Sequence, residues 1–453
     1  MTTNTTTKRQ SWSSQLTYVL TVAGATVGFG ATWRFPYLVG ENGGGAYVLL
    51  FCIAMIVIGI PMILVENVIG RRMQKNSVDS FAGEANGKKI HKAWKILGYM
   101  GLLGAFGILA YYMVLGGWVL TYIGSLLSGA LDLSAPVTIE TTSAFFSDHI
   151  QNSPLTILLY TALFVLVNYI ILAKGIMDGI ERSVTYLMPI LFIFLLVMIV
   201  RNVTLPGAWE GISFYLIPDF SKITRELFVF VLGQVFFALS LGFGVLITLS
   251  SYLDKKENLV KTATITAVMN TLIALAAGFM IFPSLFTFNV PPNSGPTLVF
   301  QSLPIVFSHM WAGSVFATIF FSLLIIAALT TSLTIYEVLI TVLQEKTRLS
   351  RKSAIALTLG GIFILGNIPS VLGDNQWQEV KIMGLSIFDT FDYVSGNVLF
   401  ILTALGSAIF VGFVLKDEAK KELGGSKLLT GIWFNYVKYI IPLIILVIFI
   451  NSL

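Results

Sequence analysis

Long runs of apolar residues separated by short polar segments repeat along the whole chain. An apolar run of about 18 residues or more is long enough to cross a bilayer as a helix. We therefore predict an all-α polytopic membrane protein with eleven spans, near residues 16–38, 46–70, 97–127, 155–173, 184–201, 228–250, 259–284, 312–343, 353–372, 393–415 and 433–452. The first run is interrupted by Gly and Thr and a second run follows closely, which is not typical of a cleaved signal peptide.

The composition agrees with this pattern. Of the 453 residues, 56% are hydrophobic and only 11% are charged, and the mean hydropathy is +0.84. Soluble domains contain roughly a quarter of charged residues, so a soluble enzyme is excluded. The three histidines (His91, His149 and His309) lie outside the apolar runs, so a His-rich metal cluster within the membrane is not expected.

Basic residues predict which loops face the cytoplasm, because cytoplasmic loops carry an excess of Lys and Arg. Alternate loops starting with the N-terminal segment hold 22 of the 28 basic residues. The opposite loops hold Arg201, Lys222, Arg225 and Lys381. We expect a cytoplasmic N-terminus and, after eleven crossings, an extracellular C-terminus. The net charge of +5 thus follows from topology, and nucleic acid is not an expected partner.

Two spans carry the same glycine-rich interruption at corresponding depth. Gly28-Phe-Gly30 interrupts the first span and Gly242-Phe-Gly244 the sixth, five spans later. Such paired breaks point to a transporter site, because unwound backbone can hold substrate and ions near the midplane. Close helix packing is the alternative, and we prefer it for Gly98, Gly101, Gly104 and Gly107 of span three. Spans 1 to 5 and 6 to 10 would then be inverted repeats.

Several polar residues lie within the spans, where they are candidates for function. Glu66 could bind backbone amides freed by a broken helix, or it could lie low in its span and reach water. Arg34 and Asp392 have opposite charge and the same depth, so they could close a gate or be two solvated charges. The buried hydroxyls of Tyr111 and Tyr112 need hydrogen-bond partners or an interface.

A hydroxyl cluster lies inside span eight at Thr330, Thr331 and Ser332. These side chains could hydrogen-bond to the carbonyls of their own helix. They could also bind a hard cation, since such cations prefer oxygen ligands.

Taken in order, the motifs resemble the sodium:neurotransmitter symporter family over nearly the whole chain, most closely its bacterial amino-acid transporters. No single motif decides the resemblance. The matching residues are Trp12, Gly28-Phe-Gly-Ala-Thr-Trp-Arg-Phe-Pro36, Glu41-Asn-Gly-Gly-Gly45, Glu66, Gly70-Arg71, Tyr111-Tyr112, Gly233-Gln-Val-Phe-Phe237 and Ser240-Leu-Gly-Phe-Gly244.

The resemblance implies a LeuT-type fold, with a 5+5 inverted repeat and broken helices 1 and 6, that imports an amino acid with sodium by alternating access. Residues 1–453 would form one transporter domain, with a cytoplasmic segment at 1–15, repeats at 16–201 and 228–415, and a peripheral helix at 433–452. The implied partners are the amino acid, Na⁺ and the lipid bilayer, and the implied location is a prokaryotic plasma membrane. The sequence carries no signal for an oligomeric state.

The resemblance also implies binding residues. A second sodium site would use the carbonyls of Gly24, Val27 and Ala327 and the hydroxyls of Thr330 and Thr331. The substrate would contact Thr26, Gly28, Ile108, Tyr112, Phe237, Ser240, Phe243, Ser332 and Ile335. Amine transporters of the family carry an aspartate at the position of Gly28, so glycine favours an amino-acid substrate. The apolar lining favours a hydrophobic one.

Gates are implied as well. Arg34, Asp392 and Gln234 would close the outer side, with Tyr112 and Phe237 as the cap. The inner side would be closed by Arg9, Trp12, Tyr252 and Glu345. Gly179 and Pro189, with nine residues between them, match an element thought to let the fifth helix unwind. Their alternative role is structural, because Gly and Pro are common in membrane helices.

The chain departs from the family at the first sodium site. Two of its three side-chain ligands are replaced by Ala31 and Ala238, so only Asn270, the Thr26 carbonyl and the substrate carboxylate remain. Thr32 could supply a displaced ligand. The chloride ligands are replaced by Phe51, Ala238 and Ala274. We expect one sodium ion per substrate and no chloride requirement.

Two other classes of function are considered. The chain lacks His-Glu-x-x-His, Gly-x-Ser-x-Gly and a P-loop, so an intramembrane enzyme has no support. A sodium-independent exchanger, facilitator or substrate-gated channel on the same fold is the alternative, made more plausible by the altered first site. The hydroxyl pair at Thr330 and Thr331 favours sodium coupling.

Overall fold

The computed structural model describes residues 12–292, 298–373 and 376–452. These residues are mostly helical. The helices are α1 (Gln15–Thr26), α2 (Gly30–Glu41), α3 (Gly45–Met73), α4 (Lys92–Ser128), α5 (Ile139–Phe146), α6 (Pro154–Leu172), α7 (Ile176–Val203), α8 (Ala208–Leu216), α9 (Arg225–Ala238), α10 (Val245–Ser250), α11 (Leu259–Thr287), α12 (Ser302–Ser308), α13 (Gly313–Thr347), α14 (Arg351–Gly373), α15 (Ile387–Leu415), α16 (Asp417–Leu423) and α17 (Lys427–Ser452).

Nine helices of the described part are long and apolar enough to cross a membrane, and the pair α1 and α2, bent by 54°, can form a tenth span. The predicted sixth span is divided between α9 and α10. The count of eleven therefore stays a prediction, although every predicted apolar run coincides with helix. A short hairpin of β1 (Glu84–Ala85) and β2 (Lys88–Lys89) lies between α3 and α4.

Local sequence explains where many helices begin. A Ser, Thr or Asn side chain accepts a hydrogen bond from a backbone amide in the first turn, which satisfies one of the donors left free there. The capping residues are Ser14, Thr138, Thr224, Asn258, Ser350, Ser386 and Ser426. Ser14 and Thr17 form a reciprocal capping box at the start of α1.

Helix packing brings the two interrupted regions to the centre of the bundle. Helix α1 packs against α11 and α13, α10 packs against α3, and α4 packs against α6, α13 and α15. The glycines of α4 permit this closeness: a Cβ on Gly101 would lie 2.9 Å from the Gly242 carbonyl oxygen, and one on Gly104 would overlap Phe400. Helix packing is therefore the structural role of these two glycines, as the sequence predicted.

Candidate functional site

The break after α1 exposes three carbonyl groups, and each accepts a hydrogen bond from a different part of the bundle. The last carbonyls of a helix have no partner within it. The Gly24 carbonyl accepts from Thr331 of α13 (2.8 Å), and the Ala25 carbonyl accepts from Ser240 (3.3 Å). The Thr26 carbonyl accepts from Asn270 of α11 (3.0 Å). Three other segments of the chain therefore contact the unwound backbone.

The break between α9 and α10 is held by Glu66. Residues Ser240, Gly242 and Gly244 have positive φ angles, so the chain cannot continue as a helix there. Glu66 is fully buried in α3, and its Oε1 accepts a hydrogen bond from the Gly242 amide at 2.7 Å. This contact agrees with the first of the two roles considered for Glu66, a partner for amides freed by a broken helix.

Oxygen atoms suited to a sodium ion gather where α1 approaches α13. Thr331 hydrogen-bonds to the Gly24 carbonyl, and Thr330 hydrogen-bonds to the Ala327 carbonyl at 3.0 Å. A Cβ on Gly24 would lie 3.1 Å from the Cβ of Thr330, so the absence of a side chain at Gly24 eases the close approach of the two helices. With Val27 at the end of α1, these residues fit a hard cation by the chemistry of their donors.

No group of three or more His, Cys, Asp or Glu side chains in the described ranges is placed to hold a metal ion. A cation in this region would therefore be held by backbone carbonyls and hydroxyls. Such uncharged oxygen ligands suit Na⁺ at the unwound parts of transporter helices.

A polar patch surrounds Gly28. The Phe29 amide donates a hydrogen bond to the Tyr112 hydroxyl at 3.2 Å. A Cβ on Gly28 would lie 2.3 Å from the Tyr112 hydroxyl oxygen and 2.4 Å from the Thr331 hydroxyl oxygen. The hydroxyls of Tyr112 and Thr331 and the positive end of α2 therefore converge on one glycine, an arrangement that can bind an anion such as a carboxylate.

An apolar wall lies beside this patch. The enclosed space is about 20 Å³, little more than the room for one water molecule. The site is therefore contracted in this structure. Its lining residues are Ala25, Thr26, Gly28, Phe29, Gly30, Ile108, Tyr112, Phe237, Ser240, Phe243, Thr331 and Ile335.

Ser332 differs from its predicted position. It is absent from the lining, and its hydroxyl donates a hydrogen bond to Asn168 of α6 at 2.7 Å. Successive residues of a helix point about 100° apart, so Thr331 faces the pocket while Ser332 faces the neighbouring helix. Thr331 takes the place in the lining that the resemblance gave to Ser332.

The first sodium site has a different set of neighbours from the one the family pattern requires. The Asn270 amide nitrogen donates to the carbonyls of Thr26 and Ala238, at 3.0 and 3.1 Å. The methyl groups of Ala31 and Ala238 are buried and offer no oxygen. The Thr32 hydroxyl donates to the Gly28 carbonyl at 3.1 Å, so it is engaged within its own helix.

One side of the pocket is closed by the predicted outer gate. Arg34 and Asp392 lie 3.8 Å apart, and Tyr111 donates a hydrogen bond to Asp392 at 2.7 Å. The Arg34 guanidinium lies 4.3 Å from the centre of the Phe237 ring, a cation–π contact. Gln234 instead donates to the Gly30 carbonyl at 2.8 Å, so it ties α9 to α2 beneath the charged pair.

The opposite side is closed by the segment that precedes α1. The Trp12 indole nitrogen donates to the Leu249 carbonyl at 3.0 Å, and the Trp12 ring packs edge-on against Tyr18 and Tyr252. Glu345 accepts a hydrogen bond from the Asn76 side chain at 2.6 Å. Arg9, the remaining member of the predicted inner gate, lies outside the described residues.

Gly179 and Pro189 lie in α7, beside this closure. Gly179 belongs to a wide π-type turn, where its Cβ would be 2.3 Å from the Ile171 carbonyl oxygen, and Pro189 lies inside the helix. Both features weaken regular helical bonding. Glu181, two residues after Gly179, accepts hydrogen bonds from the backbone and the side chain of Ser13.

The sequence predictions missed several buried polar residues near the site. Glu181 could have been recognised as a candidate from the sequence, since it is an ionisable residue at the start of a span. The sequence indicates the buried amides Asn168 and Asn367 less clearly. Asn367 of α14 donates to the carbonyls of Leu109 and Ala110 in α4, at 2.9 and 2.8 Å. It therefore braces the helix that presents Ile108, Tyr111 and Tyr112.

Comparisons with known proteins agree with this architecture. The model of the sodium:neurotransmitter symporter family matches residues 9–135 and 147–453. A sodium-dependent transporter of Haemophilus influenzae is 74% identical over the whole of both chains. The sodium-dependent transporter YhdH of Bacillus subtilis is 36% identical over 98% of each chain. The sodium-dependent serotonin transporter of Drosophila melanogaster is 30% identical over 98% of this chain and 76% of its own.

A solved structure extends the comparison to the fold. The crystal structure of MhsT in complex with L-phenylalanine superposes with a TM-score of 0.89 at 36% identity, covering 98% of this chain and 100% of that one. The predicted LeuT-type fold is thereby confirmed. The relatives are transporters, so the protein is a multi-pass sodium-dependent transporter and not an enzyme. The chain belongs to the sodium:neurotransmitter symporter family.

Proposed function

We propose that the protein imports an amino acid with a hydrophobic side chain, coupled to one sodium ion and independent of chloride, by alternating access. The sodium ion binds at the second site, between α1 and α13. The substrate carboxylate binds at Gly28 and Tyr112. Arg34 and Asp392 close the outer side, and the segment around Trp12 closes the inner side together with Arg9.

The main support for this proposal is the crowding around Gly28. A side chain at position 28 would collide with the hydroxyls of Tyr112 and Thr331. An aspartate, as in the amine transporters of the family, would therefore not fit this packing. Once the contracted pocket opens, the same position suits a carboxylate that belongs to the substrate, bound by the Tyr112 hydroxyl and the backbone amides around Gly28.

The remaining wall of the pocket favours a hydrophobic side chain. Ile108, Phe237, Phe243 and Ile335 supply apolar surface, and the described lining contains no ionisable group other than the tyrosine hydroxyl. An apolar pocket with a few oriented polar groups is typical of a small-ligand site. MhsT, whose structure contains L-phenylalanine, supports the same class of substrate.

The ion requirement follows from the donors that remain. The second site keeps its five oxygen atoms, whereas the first has lost two side-chain oxygens to Ala31 and Ala238. At the positions of the chloride ligands, Phe51, Ala238 and Ala274 are buried and apolar. A buried anion without a charged or hydrogen-bonding partner is strongly disfavoured. We infer a single coupling ion and no chloride.

The proposed setting is a prokaryotic plasma membrane with a cytoplasmic N-terminus and an extracellular C-terminus. The excess of basic residues in alternate loops supports this orientation. We also propose that residues 16–201 and 228–415 are the two inverted repeats of one transporter domain. The paired breaks after Thr26 and Ala238 support that division.

Uptake into proteoliposomes tests the proposal. A mixture of the twenty amino acids is offered with an inward sodium gradient and, as the control, with an equal sodium concentration on both sides. We expect a hydrophobic amino acid to accumulate only with the gradient, with a hyperbolic dependence on sodium and no effect of replacing chloride by gluconate. A Hill coefficient near two would contradict a single coupling ion.

A sodium-independent exchanger is the alternative that the altered first site favours. The double variant Thr330→Val and Thr331→Val separates the two functions. In a symporter it should abolish sodium-driven accumulation, because both hydroxyl ligands are removed. In an exchanger, counterflow of labelled amino acid should continue without sodium, at a rate reduced only by the loss of the Thr331 hydroxyl from the pocket.

A further inference from the structure

Asn270 connects the two broken regions through a pair of hydrogen bonds. Its amide nitrogen donates to the Thr26 carbonyl, at the end of α1, and to the Ala238 carbonyl, at the end of α9. Asn270 is fully buried, and its Oδ1 has no partner among the described residues. Because both neighbours are carbonyl oxygens, the amide nitrogen and not the amide oxygen must face them.

A sodium ion at the first site would need the opposite arrangement. The carbonyl of Thr26 and an oxygen of Asn270 would both have to point at the ion, together with side-chain oxygens at positions 31 and 238. Ala31 and Ala238 supply only methyl groups, and the Thr32 hydroxyl is engaged with the Gly28 carbonyl. The residues present therefore do not fit a cation at this site.

We propose that the Asn270 amide group replaces the first sodium ion, as a permanent hydrogen-bond donor that joins the broken ends of α1 and α9. A carbonyl left unpaired in a buried site is costly, and an ion or a donor can each satisfy it. The amide satisfies both carbonyls with no ion to bind or release. The connection between these two helix ends is then independent of sodium. Among the described residues, the site between α1 and α13 is left as the sodium-dependent contact.

This inference rests on the proposed function, because it explains how a symporter with one sodium ion keeps the pocket assembled. It goes further by assigning Asn270 a role as hydrogen-bond donor and not as ion ligand. If Asn270 is a hydrogen-bond donor, its replacement should change sodium binding only in a variant that again has side-chain oxygens at positions 31 and 238.

Equilibrium binding of radioactive sodium to the purified full-length protein, with the amino acid identified by uptake present at saturation, tests the assignment. We expect one ion per wild-type protein and one per Asn270→Leu variant. The double variant Ala31→Asn and Ala238→Thr should bind two, because the amide can then turn its oxygen toward an ion. Adding Asn270→Leu to that double variant should return the number to one.

Asn367→Leu is the matched control. Asn367 is equally buried, donates to two backbone carbonyls of a neighbouring helix and also has an unpartnered Oδ1. Its replacement removes similar hydrogen bonds to Leu109 and Ala110, which are not proposed ion ligands, so the number of bound ions should not change in either background. A loss of ions in this control would show that damage to helix packing alone lowers sodium binding.

The outcomes separate this inference from the proposed function. Two ions in the wild type that fall to one in Asn270→Leu would identify Asn270 as an ion ligand and overturn the inference, while sodium coupling would stand. A double variant that transports but still binds one ion would overturn it as well, even if Asn270→Leu failed to fold. A wild type that binds no sodium would instead contradict the proposed function.

Discussion

Single residues decide which chemistry the unwound part of α1 can support. The carbonyls of Gly24, Ala25 and Thr26 lack partners within α1, and three side chains from other segments satisfy them. One of these, Thr331, also faces Gly28, where the substrate carboxylate is proposed to bind. The proposed sodium site and the proposed carboxylate site therefore share one hydroxyl, which gives a short physical path for coupling between ion and substrate.

Gly28→Ala tests how tightly this region is built. The added Cβ would overlap the hydroxyls of Tyr112 and Thr331, and both must shift to admit it. A lost hydrogen bond to a charged carboxylate costs about 1.5–3 kcal/mol, so we expect amino-acid affinity to fall roughly tenfold to a hundredfold. Equilibrium binding of the amino acid identified by uptake measures the loss.

Gly233→Ala is the control for that variant. Gly233 lies on α9, and a Cβ there would meet no atom within 4 Å. We expect its affinity to stay close to that of the wild type. Unchanged affinity in Gly28→Ala would mean that the carboxylate does not bind at this glycine.

Much of the site follows from sequence because it is built on glycines and on motifs with fixed spacing. The pocket positions of Gly28, Tyr112, Phe243 and Ile335 agree with the prediction. Ser332 does not, because the rotation of α13 about its axis decides which of two adjacent hydroxyls faces the pocket. Hydrogen bonds between distant helices depend on packing that no local sequence pattern shows. Examples are the bond between Ser332 and Asn168 and the bond between Ser13 and Glu181.

At the scale of elements, the short helices next to the breaks are the parts best suited to move. Helix α1 is anchored to α13 through Thr331 and to the end of α10 through Trp12. The first anchor belongs to the proposed sodium site, and the second does not. Release of sodium would therefore leave Trp12 as a main remaining restraint on the predicted cytoplasmic side.

Trp12→Ala should favour opening of that side. It removes the hydrogen bond to Leu249 and the ring contacts with Tyr18 and Tyr252. A reporter is available because Cys52 is the only cysteine of the chain. In a Cys52→Ala background, a cysteine at the buried position Ser251 should react severalfold faster with a water-soluble thiol reagent once Trp12 is replaced.

Trp311→Ala provides the comparison for this measurement. Trp311 is 75% exposed and lies next to α13, far from the inner closure in sequence. We expect it to leave the labelling rate of the reporter cysteine unchanged. Equal labelling rates in Trp12→Ala and the wild type would show that Trp12 does not restrain this side.

At the scale of the whole molecule, hydrophobic periodicity located the helices because membrane spans must satisfy their backbone internally. It did not show the wide π-type turns inside α3, α14 and α15, at Met55–Gly59, Phe363–Asn367 and Tyr393–Leu399. These turns add one residue to a helical turn without changing the apolar character of the run. They can be recognised only from the hydrogen bonds of the folded backbone.

The loop after α3 connects three helices on the predicted cytoplasmic side. Asp79 accepts hydrogen bonds from Lys95 of α4 (2.6 Å), Lys346 of α13 (2.8 Å) and Asn76 (3.0 Å). Partial burial alone would raise the pKa of Asp79, but the hydrogen bonds from Lys346, Lys95 and Asn76 outweigh it and hold that pKa well below its usual range. The ionised carboxylate therefore stabilises the folded protein.

The depressed pKa of Asp79 fixes the direction of a pH effect. The stabilisation is complete above the unfolded pKa of about 4 and is lost as the pH falls toward the lower folded pKa. The unfolding temperature of Asp79→Asn in detergent should thus lie below that of the wild type near neutral pH, and the gap should narrow below about pH 4. Asp148 is exposed, so Asp148→Asn should unfold at the same temperature as the wild type. If the difference between Asp79→Asn and the wild type widened in acid, the stabilising role of the ionised Asp79 would be contradicted.

The number of coupling ions sets the limit of accumulation for the whole transport cycle. One sodium ion moving through about 100 mV and a tenfold concentration gradient supplies roughly 3.7 kcal/mol, enough for about 500-fold accumulation of a zwitterionic amino acid. Two ions would square that ratio. At steady state in proteoliposomes, the logarithm of the accumulation ratio should rise with the logarithm of the sodium gradient with a slope of one. The variant Ala31→Asn and Ala238→Thr should approach two, and a wild-type slope of two would mean that a second ion crosses with each substrate despite the missing oxygens.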